Sequence, residues 1–340
     1  MRRHLLALST LVALALLPTV ARAQETTVTT FERPTEVREH DGTLVYSAFD
    51  PSIDAYRLTV LDAQGERALP VPPSPEPFQA DIGTNTAGDP QVVFALDVGE
   101  QEGGRAGGED LFVIALGSGR VRPVRNANTG LDEATPTIDD GRIAFSRGFD
   151  EGADPVVYTK RLVAPRERPS TRLPGVPERI GPFATTDRRV TELELQDGRL
   201  GQIIRYLFQE SAGSRSNEVR QVELDDRSQR RVAEQSTGEN GQFFVGLSFA
   251  EGYLSWYTTS LFGNARGGAY RYQPGRAYRY AEDRLAFLSG FAWTGDTTWQ
   301  VRANPGGECD DEFTDEAEPP CPLVRTEDLA WEVVAADRVR

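Results

Sequence analysis

Histidine is almost missing from this chain: apart from His4 near the N-terminus, its 340 residues hold only His40. A Ser-His-Asp triad needs an imidazole to shuttle its proton. His40 stands beside an Asp-Gly turn, and the chain has no Gly-x-Ser-x-Gly elbow, so it reads as an exposed turn residue. Zinc and other imidazole-rich metal sites need several His or Cys ligands, which this sequence cannot supply. Cysteine is limited to Cys309 and Cys321, whose spacing is not the C-x-x-C of redox-active pairs. Lysine is reduced to Lys160, a feature of composition rather than of function. Basic charge as a whole is scarce, with 37 Lys and Arg against 52 Asp and Glu and a net charge of -15. Nucleic acids and anionic membrane surfaces are therefore disfavoured as partners, since both require a basic patch. Helical periodicity and long apolar runs are missing beyond the first residues, so no membrane-spanning segment is expected there.

The N-terminus is the one apolar stretch. Arg2 and Arg3, the run from Leu5 to Leu17, and Ala21-Arg22-Ala23 have the three-part pattern of a secretory signal peptide over residues 1–23. The run is too short for a membrane anchor, and the residues around Arg2-Arg3 fit the general secretory route better than the twin-arginine one. Cleavage would remove three Arg and no acid, taking the net charge from -15 to about -18. In an exported chain, Cys309 and Cys321 are expected to form a disulfide closing the loop 309–321, worth roughly 2–3 kcal/mol.

What is abundant is a recurring unit: a small or acidic residue, a Gly turn, and then an apolar, aromatic-rich strand. Its glycines are Gly42, Gly88, Gly141, Gly198, Gly252 and Gly295, at intervals of 46, 53, 57, 54 and 43 residues. A second alternating strand follows each unit (Ala55 to Leu61, Leu111 to Leu116, Val156 to Leu162), then a tight turn and a third short strand such as Val121 to Val124. With a strand before each Gly, every unit holds four strands. Six such units predict an all-β, six-bladed β-propeller of four-stranded blades, preceded by a cleaved signal peptide. Residues 24–34 are expected to be a flexible segment or a strand that closes the ring, and residues 35–340 to form one propeller domain. The Pro- and Arg-rich stretch from Ala164 to Arg188 reads as a surface loop, and Gly201 and Gln202 interrupt the apolar pattern of the fourth unit.

The segment Pro136-Thr137-Ile138-Asp139-Asp140-Gly141-Arg142-Ile143-Ala144-Phe145-Ser146 resembles the repeat of TolB-type and WD40-like (PD40-like) propellers. Asp54, Asp110 and Asp154, each just before a second strand, are similar in position to that repeat's second Asp. The Ser-Pro that precedes Asp-Gly in the family is missing from every copy, and units four to six match only in outline. The resemblance implies the fold and transfers no activity, because propellers carry many functions.

Carboxylates are the remaining chemical resource. Paired acids on propeller strands run glycoside hydrolysis or hold Ca²⁺, but among 52 acids a pair near the axis is expected by chance. Gly295-Asp296-Thr297-Thr298-Trp299 has the wrong order for a sialidase Asp-box and occurs once. The run Glu308 to Glu318 contains seven carboxylates without EF-hand spacing, and reads as a solvated loop tip with only a weak claim on Ca²⁺. No other cofactor is expected. Units one and three share an aromatic-plus-acid pair, Phe49-Asp50 and Phe149-Asp150, which forms a binding rim on one face unless the acids cap turns and the rings pack between blades. The four Trp (Trp256, Trp293, Trp299, Trp331) belong to units five and six, and most are expected in the core. The resulting expectation is a secreted (extracellular or periplasmic), monomeric, non-enzymatic propeller that binds a protein or cell-envelope partner, polysaccharide included, through one face. The alternative is a carboxylate-dependent glycoside hydrolase or polysaccharide lyase acting at the central funnel.

Overall fold

A computed structural model describes residues 24–99, 108–149, 153–162, 169–173, 179–180, 183–208, 215–237, 242–260, 268–274, 276–280, 288–294, 297–302, 321–327 and 331–334. The expected signal peptide, Asp150, the turn Gly295-Asp296, the acidic run Glu308 to Glu318 and Cys309 lie outside these residues.

The described chain is built from strands, and no helix occurs among the described residues. After β1 (Gln24–Phe31), blade 1 is β2 (Val37–His40), β3 (Thr43–Asp50), β4 (Ala55–Asp62) and β5 (Gly65–Ala68). Blade 2 is β6 (Ala80–Thr84), β7 (Pro90–Asp97), β8 (Glu109–Ala115) and β9 (Arg120–Pro123). Blade 3 is β10 (Asp132–Asp139), β11 (Arg142–Phe149), β12 (Ala153–Arg161) and β13 (Thr171–Arg172). Blade 4 has five strands, β14 (Arg179–Ile180), β15 (Phe183–Gln196), β16 (Arg199–Phe208), β17 (Arg215–Glu223) and β18 (Gln229–Thr237). Blade 5 contains β19 (Gln242–Ala250), β20 (Tyr253–Ser260), β21 (Gly268–Gln273) and β22 (Arg276–Tyr280). Blade 6 begins with β23 (Leu288–Thr294), β24 (Thr297–Arg302) and β25 (Cys321–Glu327); the chain then returns to the outer edge of blade 5 as β26 (Trp331–Val334).

All pairings are antiparallel, and β1 completes blade 6 by pairing along β25 from Gln24↔Glu327 to Phe31↔Cys321. The strands β2, β6, β10, β15, β19 and β23 each contact their counterparts in both neighbouring blades, which makes them the inner ring of a closed six-bladed propeller.

Both faces of each blade are covered by its neighbours, so the second strands of blades 1, 2 and 3 carry runs of successive apolar residues. In β7, Val92 and Phe94 pack on blade 1, while Val93 and Ala95 pack on blade 3. Six apolar clusters result, one for each blade interface around the ring. Trp256 and Trp293 are fully buried in the two clusters flanking blade 5. Trp299 is partly buried against the cluster joining blades 6 and 1.

Three features depart from the sequence reading. Blades 4 and 5 each hold a fifth strand, through β14 and β26. The stretch read as a loop between blades 3 and 4 contributes β13, β14 and the start of β15, since edge strands tolerate proline nearby and need only two register pairs here. Gly201 breaks the apolar pattern for a packing reason: a Cβ there would meet Leu254 Cδ1 at 2.6 Å, so its bareness lets blade 5 approach blade 4.

The recurring Asp-Gly has a backbone explanation. Asp41-Gly42, Asp140-Gly141, Asp197-Gly198 and Glu251-Gly252 all have positive φ at both positions (49/79°, 43/64°, 50/75° and 50/82°). Two consecutive left-handed residues make the tight hairpin whose twist matches its strands. Each joins an inner strand to the second strand of its blade, so these turns ring one face of the disc, called the turn face below.

Candidate functional site

At the axis the inner strands place several charged groups around one guanidinium. Arg38 on β2 is buried, with ion-pair distances of 3.3 Å to Glu192, 3.7 Å to Glu36 and 3.8 Å to Glu194. Its Nη1 also donates to the Leu247 carbonyl at 2.7 Å. Burial works against its charge, but Glu192, Glu36, Glu194 and Asp81 outweigh that and keep it protonated. On β15, Leu193 and Leu195 pack against blade 3, so strand alternation sends Glu192 and Glu194 to the other side.

These acids are largely committed to neighbouring backbone. The Glu192 carboxylate accepts the N–H groups of Gly246 (2.9 Å) and Leu247 (2.7 Å) from blade 5. Asp81 Oδ2 accepts the Thr137 hydroxyl (2.7 Å) and the Ile138 N–H (2.9 Å) from blade 3, and Thr137 in turn accepts the Leu195 N–H at 2.9 Å from blade 4. Ser248 carries the relay on from blade 5 to the Trp293 carbonyl of blade 6 at 3.3 Å. A side chain on one inner strand thus satisfies the backbone of the next, which locks the blades in register.

Glu194 differs: its Oε2 is buried, with no hydrogen bond and only the 3.8 Å approach of Arg38. Burial, reinforced by the Asp81 charge, raises its carboxyl well above the usual range. Burial likewise raises Asp81. Glu36 keeps 61% of its side chain accessible, yet it stands inside the ring, where the surrounding protein raises its carboxyl too. No group of three or more metal-ligating side chains occurs among the described residues.

The turn face has a different character. Between blades 3 and 4 it opens into a cavity of about 320 Å³ lined by Asp139, Asp140, Asp197, Asp225, Arg142 and Arg161, with Leu195 and Gly198. Asp139 Oδ2 accepts the Asp197 N–H at 2.7 Å, another blade-to-blade clamp. Burial raises the Asp139 carboxyl, and the Asp197 N–H bond pulls it back. His40 is half-buried at the end of β2, 3.6 Å from Asp41.

The expected rim falls on the opposite face, at the turn between the second and third strands. Asp50 accepts the Ser52 hydroxyl (2.5 Å) and N–H (3.0 Å) and the Arg57 Nε (2.8 Å), which together hold its carboxyl below the usual range. Phe49 is covered by the Arg33 guanidinium at 3.6 Å and meets Tyr56 edge-on at 5.2 Å. Both are thus engaged within their own neighbourhood. Phe149 ends β11 opposite Ala153, and its partner Asp150 lies outside the described residues. Cys321 is buried where β25 begins, opposite Phe31 of β1. The residues that organise the axis (Arg38, Asp81, Glu192, Glu194) were not singled out by the sequence, although Glu192-Leu193-Glu194-Leu195 carries the signal in its two-residue alternation.

No family model matches the chain, and no curated protein matches it in sequence. Among solved structures it is similar to TolB from Acinetobacter baumannii, at 13% identity and a TM-score of 0.46 over 85% of this chain and 66% of that one. It is also similar to a puromycin-hydrolysing peptidase of Mycobacterium tuberculosis (12% identity, TM-score 0.49, 94% of this chain and 52% of that one). An ulvan lyase of polysaccharide lyase family PL25 is similar at 8% identity and a TM-score of 0.46, over 82% of this chain and 81% of that one. The chain thus spans about half of the peptidase and just under two thirds of the TolB chain. Likeness at this level transfers no activity.

Proposed function

We propose that this propeller is an exported, monomeric binding module that holds a protein or cell-envelope partner through its turn face. One observation carries the reading: the axial carboxylates Asp81 and Glu192 are tied up in blade-to-blade hydrogen bonds, while the turn face opens into a cavity of about 320 Å³ lined by charged side chains. Interface energy concentrates in a few anchors within a tolerant surround, so no single axial carboxylate is required for binding.

Export is proposed from the signal pattern of residues 1–23, together with a disulfide between Cys309 and Cys321. Mass mapping of non-reduced peptides from secreted material should recover the linked pair; two free thiols there would contradict it.

The competing reading is a glycoside hydrolase or polysaccharide lyase at the funnel. Glu194 favours it, because a carboxyl that burial raises well above the usual range is the kind a general acid needs. A panel of aryl glycosides and polysaccharides, with and without Ca²⁺, separates the two. We expect no turnover; hydrolysis or elimination that disappears in Glu194→Gln would overturn the binding module.

A further inference from the structure

Blades 3 and 5 carry the same irregularity in their inner strand and treat it differently. In β10 the pairing register slips between Ala134 and Thr137, and Thr135 has a positive φ of 47°. In β19 it slips between Val245 and Ser248, and Gly246 has a φ of 66°. Both residues stand six places before the turn glycine of their blade, Gly141 and Gly252. A bulge leaves its extra residue outside the ladder, so each of these N–H groups needs an acceptor from elsewhere.

In blade 3 that acceptor is neutral: Gln79, just before β6 of blade 2, takes the Thr135 N–H on its Oε1 at 2.6 Å. A side-chain amide is therefore enough to tie such a bulge to the preceding blade. In blade 5 the acceptor is the Glu192 carboxylate of blade 4, and three donors meet it. The Gly246 N–H reaches Oε1 at 2.9 Å, and the Leu247 N–H reaches Oε2 at 2.7 Å. Arg38 Nη2 donates to Oε2 at 3.3 Å. Successive backbone N–H groups that converge in this way make an anion-binding concavity, and a guanidinium adds a charge-assisted bond. All three groups donate and none can accept, so the place suits an anion better than an amide. Solvent comes close to it: Glu36, 3.7 Å from the same Arg38 Nη2, is largely accessible inside the ring.

We propose that Arg38 and the Gly246 and Leu247 amides form a carboxylate receptor at the propeller axis, which the chain keeps filled with its own Glu192. The ligand class is a small monocarboxylate anion, and Glu192 is the built-in occupant that shuts the site to any other. The receptor lies away from the turn face and does not depend on which partner that face holds.

Removing the occupant should open the site. Glu192→Ala deletes one CH2 and the carboxylate, which are the atoms that acetate supplies. Urea unfolding of this variant in sodium acetate, and in sodium chloride of equal ionic strength, reads the occupancy. Its folding constant should rise saturably across the millimolar range of acetate, by about ten-fold at roughly ten times Kd, as for a ligand held by the folded state alone. Acetamide, the neutral isostere, should fail to do this. Formate and propionate should do it less well, one being too short and the other too long. The parent, with Glu192 in place, should respond no more to acetate than to chloride. Asp81→Ala also loses an axial carboxylate, but one with no ion pair among the described residues, and acetate should not rescue it. If Glu192→Ala does not fold in chloride, its recovery in acetate and not in acetamide supports the receptor equally. An acetate response shared by the parent or by Asp81→Ala overturns it. So does equal rescue by acetamide, or no rescue of Glu192→Ala in any of these anions.

Discussion

The axis and the turn face use the same side chain for opposite ends. At the axis, Asp81 and Glu192 each accept two hydrogen bonds from a neighbouring blade, and Arg38 gathers Glu36, Glu192 and Glu194. On the turn face, Asp41, Asp140 and Asp197 are there because aspartate tolerates the left-handed backbone of a tight hairpin, and Asp41 and Asp140 make no side-chain hydrogen bond among the described residues. A buried acid is kept by its donors, a turn acid by its φ angle. Counting carboxylates therefore says little about where chemistry sits; tracing what each one accepts says more.

The largest effect that would test this contrast is expected at Arg38. Arg38→Met keeps the apolar stem but leaves three nearby carboxylates without their cation, and breaking a buried pair from one side costs about 3–5 kcal/mol. The loss in urea-unfolding free energy should grow with pH. Glu36 and Glu194, both raised, can protonate under mild acid and so escape the missing charge. A loss below about 1 kcal/mol would mean that the axis is solvated and that the contrast fails. Next comes Asp81→Ala, which strands the Thr137 hydroxyl and the Ile138 N–H inside the ring, at about 1–3 kcal/mol for each donor left unpaired. Asp81→Asn should recover most of this, because a single amide oxygen can accept both bonds that Oδ2 now takes.

A smaller effect is expected at Glu39, where axis and turn meet. Burial pushes its carboxyl up to about 7, against the pull of the Gly42 N–H. Its other oxygen takes the Thr294 hydroxyl of blade 6. A carboxyl raised on folding adds stability that is full below its unfolded value, about 4.5, and is lost as pH rises through about 7. The parent should therefore lose stability between about pH 4.5 and 7. Glu39→Gln, which keeps the acceptor and removes the charge, should flatten that part of the profile. Equal dependence of unfolding free energy on pH in parent and Glu39→Gln, measured by urea unfolding at about pH 4.5 and pH 7, would place Glu39 in open water.

Most of the fold was legible because the propeller repeats its physics. Four blades repeat one tight hairpin, and doubly covered strands recur beside it; these wrote Asp-Gly and the runs Leu44-Val45-Tyr46 and Ile143-Ala144-Phe145 into the sequence. The fifth strands of blades 4 and 5 were not legible. Two-residue pairings such as that of β14, and an edge strand as short as β26, leave no periodic trace. The axial network was hidden for a different reason. Arg38, Asp81 and Glu192 lie between 43 and 154 residues apart in sequence, and only ring closure brings β2, β6 and β15 together. The pair Phe49-Asp50 was visible as a motif, but its partners Arg33 and Arg57 were not, so a self-satisfied turn looked like a free rim.

The smallest expected effect separates the two kinds of acid most cleanly. Asp140 is exposed, at φ 43°, and holds no hydrogen bond or ion pair among the described residues. If its role in folding is conformational, Asp140→Asn should leave stability within about 0.5 kcal/mol of the parent, since asparagine shares the left-handed tolerance and surface changes of this kind are nearly neutral. Asp140→Val removes the same charge but puts a β-branched side chain into a backbone it resists, and strain of this type costs about 1–3 kcal/mol. The order Asn near parent, Val well below it, is what a turn acid predicts by urea unfolding. Equal losses in both variants would instead show that the carboxylate charge itself holds the hairpin, and the turn face would then have to be counted with the axis.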